Sequence, residues 1–198
     1  MFLTSCHTEF QAHQLMFKAM STDAVLQADV ERVVADSVQA LRAGGKILIA
    51  GNGGSAADAQ HWAGELVSRF NFDRPGLASM ALTTDSSILT AIGNDYGYDY
   101  VFARQIEALA RQGDRFWALS TSGNSPNILR AIQAAQNQGV GVVGFTGKHG
   151  GKMVPGCDVC FRMPSTHTPR IQEGHEFLGH LLCGLIEQGM FDKDRANV

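Results

Sequence analysis

Between residues 22 and 42 the apolar positions Val25, Leu26, Val30, Val33, Val34, Val38 and Leu41 recur mostly three or four apart, the period of an amphipathic helix, and Gly44 and Gly45 stop it. A weaker helical stretch over 9–20 precedes it. The period then changes. Residues 46–50 form a short apolar run that enters a glycine-rich turn, and helical spacing resumes over 56–68. The same unit returns at 77–82 ahead of a helix over 85–92, and at 115–119 ahead of a helix over 126–138. Runs at 140–145 and 159–163 complete about five strands. A last helix is predicted over 169–190, followed by a solvated charged tail from Asp192 to Arg195. Short apolar strands alternating with helices imply crossover connections and a parallel sheet covered on both faces. The expected fold class is therefore α/β, a flavodoxin-like three-layer sandwich in one domain over 1–198, with N-terminal helices over 1–43 and the core over 44–190.

Composition narrows the classes of function. At 198 residues, 44% hydrophobic and 18% charged, the chain has the size and balance of one globular domain. A formal charge of -3 offers no basic field to a nucleic acid. No apolar run approaches the roughly 20 residues that cross a bilayer, and residues 1–10 mix Cys6, His7 and Glu9 without a basic head and apolar stretch, so a cytoplasmic protein is expected. Four cysteines then read as reduced thiols. Cys157 and Cys160 make a lone CxxC, without the second pair that a zinc cage of that type needs.

In an open parallel sheet, ligands bind beyond the carboxyl ends of the strands, where helix N-termini converge. Two loops fall there. In Gly51-Asn52-Gly53-Gly54-Ser55 the glycines let backbone approach a ligand, and Ser55 is placed to cap the next helix. Gly51, Gly53 and Ala56 also satisfy the spacing of a dinucleotide fingerprint, with Asp85 a loosely spaced candidate for its acidic ribose partner. The second loop, Ser120-Thr121-Ser122-Gly123-Asn124-Ser125, carries four hydroxyls ahead of Pro126 at a first helical position. A helix cap explains one of those hydroxyls; a phosphate monoester, with several oxygens to satisfy, explains the rest.

The segments GNGGSAADAQHWAGEL, TDSSILTAIGNDYGYDYVF, STSGNS, FTGKHGGKM and RIQEGHEFLGHLL follow in order the pattern of the phosphoheptose isomerases of the sugar isomerase (SIS) family, and the resemblance covers nearly the whole chain. It implies a homotetramer that converts sedoheptulose 7-phosphate to D-glycero-D-manno-heptose 7-phosphate in bacterial heptose biosynthesis, with one zinc ion per subunit. Carried over by position, it assigns substrate contacts to Asn52, Gly53, Gly54, Ser55, Glu65, Asn94, Asp95, Ser120, Thr121, Ser122, Ser125 and Gln172. It assigns metal ligation to His61, Glu65, Gln172 and His180, and proton transfer to Glu65 and His180. In the tetramer the N-terminal helices would pack together through the stripe led by Val30, Val34 and Leu41, although packing on the chain's own sheet would bury the same residues.

The chemistry asks for such residues. Moving a carbonyl between C1 and C2 needs a base for a carbon-bound proton and an acid for the developing enediolate oxygen, and a carboxylate and an imidazole suit those roles. His61 and Glu65 are four apart, so they share a helix face, as an ordinary surface pair also would. His175 and His180 are five apart, a rotation of about 140°, and cannot converge on one ion as the zinc-protease signature does. Gln172 and His180, eight apart, meet one ion only with extended side chains, a distorted helix or help from another subunit. Glu176 lies between them on roughly the same face, as a second carboxylate or a solvated one, and Pro169 stands where some relatives carry an aspartate. The competing readings are a non-catalytic SIS relative that binds the bacterial replication initiator and a SIS isomerase or sensor for another sugar phosphate. The initiator-binding class lacks the carboxylate and distal histidine that Glu65 and His180 supply here.

Overall fold

The computed structural model describes residues 2–191, so the charged stretch at 192–195 lies outside the described residues. Five strands, β1 (Ile47–Ala50), β2 (Ser79–Ala81), β3 (Arg115–Leu119), β4 (Gly141–Thr146) and β5 (Val159–Arg162), form one sheet in the order β2-β1-β3-β4-β5. Every neighbouring pair is parallel. The helices are α1 (Phe2–Ser21), α2 (Ala24–Arg42), α3 (Gly54–Val67), α4 (Ser86–Asp95), α5 (Ala103–Leu109), α6 (Pro126–Asn137) and α7 (Thr168–Phe191). Because successive strand residues point to opposite faces, the strands feed two cores. Ile47, Ile49, Trp117, Leu119, Phe145 and Phe161 pack with α2, α3 and α7, while Leu48, Ala50, Phe116, Ala118 and Val142 pack with α5 and α6. Among the described residues, no helix is long and apolar enough to cross a membrane.

The predicted strands and long helices form within a few residues of their expected ends, and the departures have local causes. β2 is shorter than predicted because the Leu77 amide donates to the Leu66 carbonyl at the end of α3 and so leaves the sheet ladder. α1 starts well before residue 9. The short helix α5 was not expected: it presents Gln105 inward, where its amide donates to the carbonyls of Leu82 and Val101, so the apolar period that marks helices is broken. The α2 stripe corrects the packing expectation. Leu26, Val30, Val33, Val38 and Leu41 are buried in the chain's own core, with Val34 packed against it, so these residues are not held in reserve for another subunit.

One polar contact in the interior fixes the end of α3. Glu187 on α7 is fully buried and accepts hydrogen bonds from the Phe70 and Asn71 amides at 2.8 and 2.7 Å and from Arg74 Nε at 3.0 Å. Burial pushes its carboxyl up, but those amides and the guanidinium together hold it below the usual carboxylate range. Arg74 in turn donates to the carbonyls of Glu65 and Leu66, which anchors the last turn of α3.

Candidate active site

β1 is the strand at which the sheet order reverses, since β2 lies on one side of it and β3 on the other. Crevices at such switch points collect ligands. The glycine loop leaves β1 and the serine loop leaves β3, so the two candidate loops are neighbours at the same sheet edge.

The serine loop is built around hydroxyls that face one another. Ser120 is buried, and its Oγ lies 2.9 Å from Ser125 Oγ and 3.5 Å from Ser122 Oγ. Ser125 occupies the N-cap of α6 but makes no capping hydrogen bond, so even the hydroxyl that a cap would have explained points to the cluster. Gly123 has φ +65 and its carbonyl accepts from the Met153 amide; a Cβ there would strike the Gly150 carbonyl, so the turn admits only glycine. Thr121 sits in the same turn with its carbonyl held by the Gly147 amide.

The glycine loop differs from expectation in one respect. Gly53, with φ +57, is the N-cap of α3, and Ser55 lies buried inside the helix without capping it. A side chain at Gly54 would collide with the Gln172 amide, so α7 closes over the start of α3 at that point. Asn52 exchanges two amide hydrogen bonds with Asn127 on α6, at 3.0 and 2.8 Å, and the Tyr98 hydroxyl donates to Asn52 Oδ1 at 3.3 Å. Asn94 and Asp95, bonded to each other at 2.7 Å, end α4 and are exposed, four and three residues before that tyrosine. Asp85 caps α4 by accepting from the Ile88 amide, which disposes of it as a ribose ligand.

His61 and Glu65 lie one turn apart on α3, their side chains 3.5 Å apart, and they line a shallow open depression with Gln60, Gly64, Ser68 and Arg69. α7 brings His180 to them: the two Nε2 atoms are 2.8 Å apart. At that distance one ring must donate while the other accepts, or both lone pairs must face a shared cation. Glu176, one turn before His180, places Oε1 3.2 Å from His61 Nε2 and 3.3 Å from His180 Nε2. His61, Glu176 and His180 thus form a group whose donor atoms lie within 4.8 Å of one another. Ligands at about 2.0 to 2.1 Å around a tetrahedral ion stand about 3.3 Å apart, so these side chains fit a divalent metal after a small opening of the histidine pair.

Two further residues bear on the cluster. Asp58, one turn before His61, has a buried Oδ2 without a hydrogen-bond partner, and its carboxyl is pushed up to about 7 by burial, then by the Glu176 charge, against a smaller lowering by His61. The helical period could have flagged it, since it precedes His61 by three. His175 is buried in the chain's own core, its Nε2 donating to the Thr146 carbonyl at 3.2 Å, and so lies apart from the group. Burial lowers its pKa to about 4.

The family model described as a SIS domain matches residues 11–147, which span both ligand loops and the His61–Glu65 helix. The match ends before α7, so the relatives speak for that helix. The chain is 56% identical over 180 residues, 91% of each protein, to a phosphoheptose isomerase of Burkholderia pseudomallei. Among solved structures it is similar to phosphoheptose isomerases from Neisseria gonorrhoeae (40% identity, TM-score 0.88, covering 95% of this chain and 100% of that one) and Francisella tularensis (34%, 0.91, 95% and 99%). The chain belongs to the SIS domain family and, within it, to the phosphoheptose isomerases.

Proposed function

We propose that the chain isomerises sedoheptulose 7-phosphate to D-glycero-D-manno-heptose 7-phosphate, a step of bacterial heptose biosynthesis. The observation that carries the reading is the meeting of α3 and α7, where His61, Glu65, Glu176 and His180 gather within a few ångströms; the loop after β3 separately turns the Ser120, Ser122 and Ser125 hydroxyls towards one another. Ser120, Thr121, Ser122 and Ser125 would receive the phosphate. Asn52, Gly53, Gly54, Ser55, Asn94, Asp95 and Gln172 would line the path of the sugar. Glu65 takes a proton from C1; the electron pair moves to C2, whose oxygen takes a proton from the His180 imidazole. Return of a proton to C2, with loss of the O1 proton, yields the aldehyde and balances the step.

Two imidazoles with a carboxylate suit zinc, which His61 and His180 would hold with the Glu65 and Gln172 that the family resemblance adds, Glu176 standing beside both imidazoles. When bound, such an ion polarises the carbonyl. We further infer a cytoplasmic tetramer. Leu3 and Phe10 on α1, seven residues apart and so on one face, are 87% and 66% exposed, an apolar surface that association would cover. The depression beside Glu65 is open enough for a second subunit to wall it. Light scattering at micromolar concentration should give four times the monomer mass, and a lone monomer would contradict it.

Incubation with sedoheptulose 7-phosphate should produce an aldose with a new anomeric signal by proton NMR. No turnover of any sugar phosphate, together with capture of the bacterial replication initiator, would replace this reading by the non-catalytic one.

A further inference from the structure

We propose that Cys157 and Cys160, with the thioether of Met153, form a binding site for a soft monovalent cation, copper(I), over Gly144 on β4. The inference is independent of the isomerase reading, since none of these residues is placed in the sugar-phosphate site.

Its first support is geometry. In a continuous strand, residues three apart face opposite sides. Cys157 precedes β5 and Cys160 lies within it, and between them the chain bends at Asp158. That residue is clamped to β4: its amide donates to the Val142 carbonyl at 2.9 Å, and its Oδ2 accepts from the Val142 amide at 2.7 Å. The bend lets both thiols pack against the core that α5 and α6 share. Cys160 stands opposite Gly144 in the β4–β5 ladder. A Cβ on Gly144 would lie 2.7 Å from Cys157 Sγ, 3.0 Å from Cys160 Sγ and 3.0 Å from the Met153 methyl. Three sulfur side chains thus converge on one point, which the glycine leaves clear.

The second support is the chemistry of the donors. Metal–thiolate bonds run to about 2.3 Å, so an ion at that point needs the two thiol sulfurs to close in by only about half an ångström. Thiolates and thioethers select copper(I), whereas a structural zinc takes four ligands, of which two cysteines supply half. Hydrogen bonding with Cys157, helped by the charge of Arg162, holds the Cys160 thiol below its ordinary range against the effect of burial. The proton that a cation must displace there is therefore more weakly held. Cys157 also lines a cavity of about 530 Å³ at the amino ends of β3, β4 and β5, beside Arg115, Gly141 and Val159, which gives an ion a way in from the sheet edge opposite the ligand loops.

The test is anaerobic titration of the full chain, in a Cys6→Ser background, with copper(I) in competition with a chromophoric copper(I) chelator, and X-ray absorption at the copper edge to report the ligands. One copper(I) should bind through sulfur alone, and zinc should not displace it. Cys157→Ser and Cys160→Ser should each lower affinity by at least about a hundredfold, since removal of even an outer partner of a ligand commonly has a ten- to hundredfold effect. His61→Gln should leave the sulfur-bound copper in place, and the cysteine variants should turn over sugar phosphate at the unaltered rate. Gly144→Ala sets a methyl at the meeting point and should block binding by a separate route, with circular dichroism checking that every variant folds. Copper held through nitrogen, affinity unchanged in the folded cysteine variants, or no copper(I) retained by the unaltered protein against the chelator would overturn the proposal.

Discussion

Asn52 in the loop after β1 and Asn127 in the first turn of α6 exchange hydrogen bonds through both of their amides, at 3.0 and 2.8 Å, so the two ligand loops are fastened to each other. Asn127 is buried and Asn52 is not, so Asn127 supports the crevice from beneath while Asn52 remains at its surface. Replacing Asn127 by leucine leaves the Asn52 amide without this partner at a cost of about 1 to 3 kcal/mol. Asn127→Leu should raise KM for the sugar phosphate by about tenfold or more, with a smaller effect on kcat. An unchanged KM would show that the loops hold their places independently.

The serine loop makes a prediction that separates ligand binding from helix capping. Since Ser125 makes no capping bond, Ser122→Ala with Ser125→Ala should weaken sugar-phosphate binding by at least about tenfold, at roughly 1.5 to 3 kcal/mol per hydrogen bond to a charged group. The melting temperature should hardly move. Calorimetric titration checks the first effect and thermal unfolding the second; loss of stability with intact binding would return Ser125 to the cap.

What the sequence disclosed and what it concealed follow from the range of each signal. The strand at 115–119 and the helix starting at Pro126 are local patterns, and both form at those residues. The His61–Glu65 pair was legible because one helix period contains it. Glu176 was ambiguous, since the placement of its carboxylate depends on a hydrogen bond from Trp62, more than a hundred residues away in sequence, and on the close approach of α7 to that indole at Gly179. Ser55 was misplaced by two residues because Gly53, free to adopt positive φ, takes the cap instead. The α2 stripe showed that its residues would be buried but not by what; α7 and β5 cover it.

Arg74 and Glu187 form an ion pair whose side chains are 2% and 0% exposed, and breaking one partner of such a pair costs about 3 to 5 kcal/mol. Arg74→Met should therefore lower the melting temperature by about 10 °C, at about 2 to 4 °C per kcal/mol for a chain of this size. Because Arg74 also holds the Glu65 carbonyl, kcat should fall as well. A shift of less than about 2 °C would mean that the buried charge finds other partners.

His175 sets an acid limit on stability. Its pKa in the fold, about 4, lies below the ordinary 6.5, so between those values the unfolded chain binds the extra proton and the fold does not. Stability from this group is intact above about 6.5 and falls as the pH drops towards 4, by about 3 kcal/mol in all. His175→Gln can still donate to the Thr146 carbonyl, so the variant should melt with a flatter pH dependence across that window. An identical slope in the two proteins would contradict the assignment.

The central claim is that Glu65 and His180 move protons between carbon and oxygen, and the most direct measurement is deuterium incorporation at C2 of the aldose formed from sedoheptulose 7-phosphate in deuterium oxide, followed by NMR. The unaltered protein should yield deuterated aldose, and Glu65→Gln and His180→Gln should each slow its appearance by at least about a hundredfold while the sugar phosphate still binds. Near-normal deuterium incorporation in the Glu65→Gln protein would contradict the account.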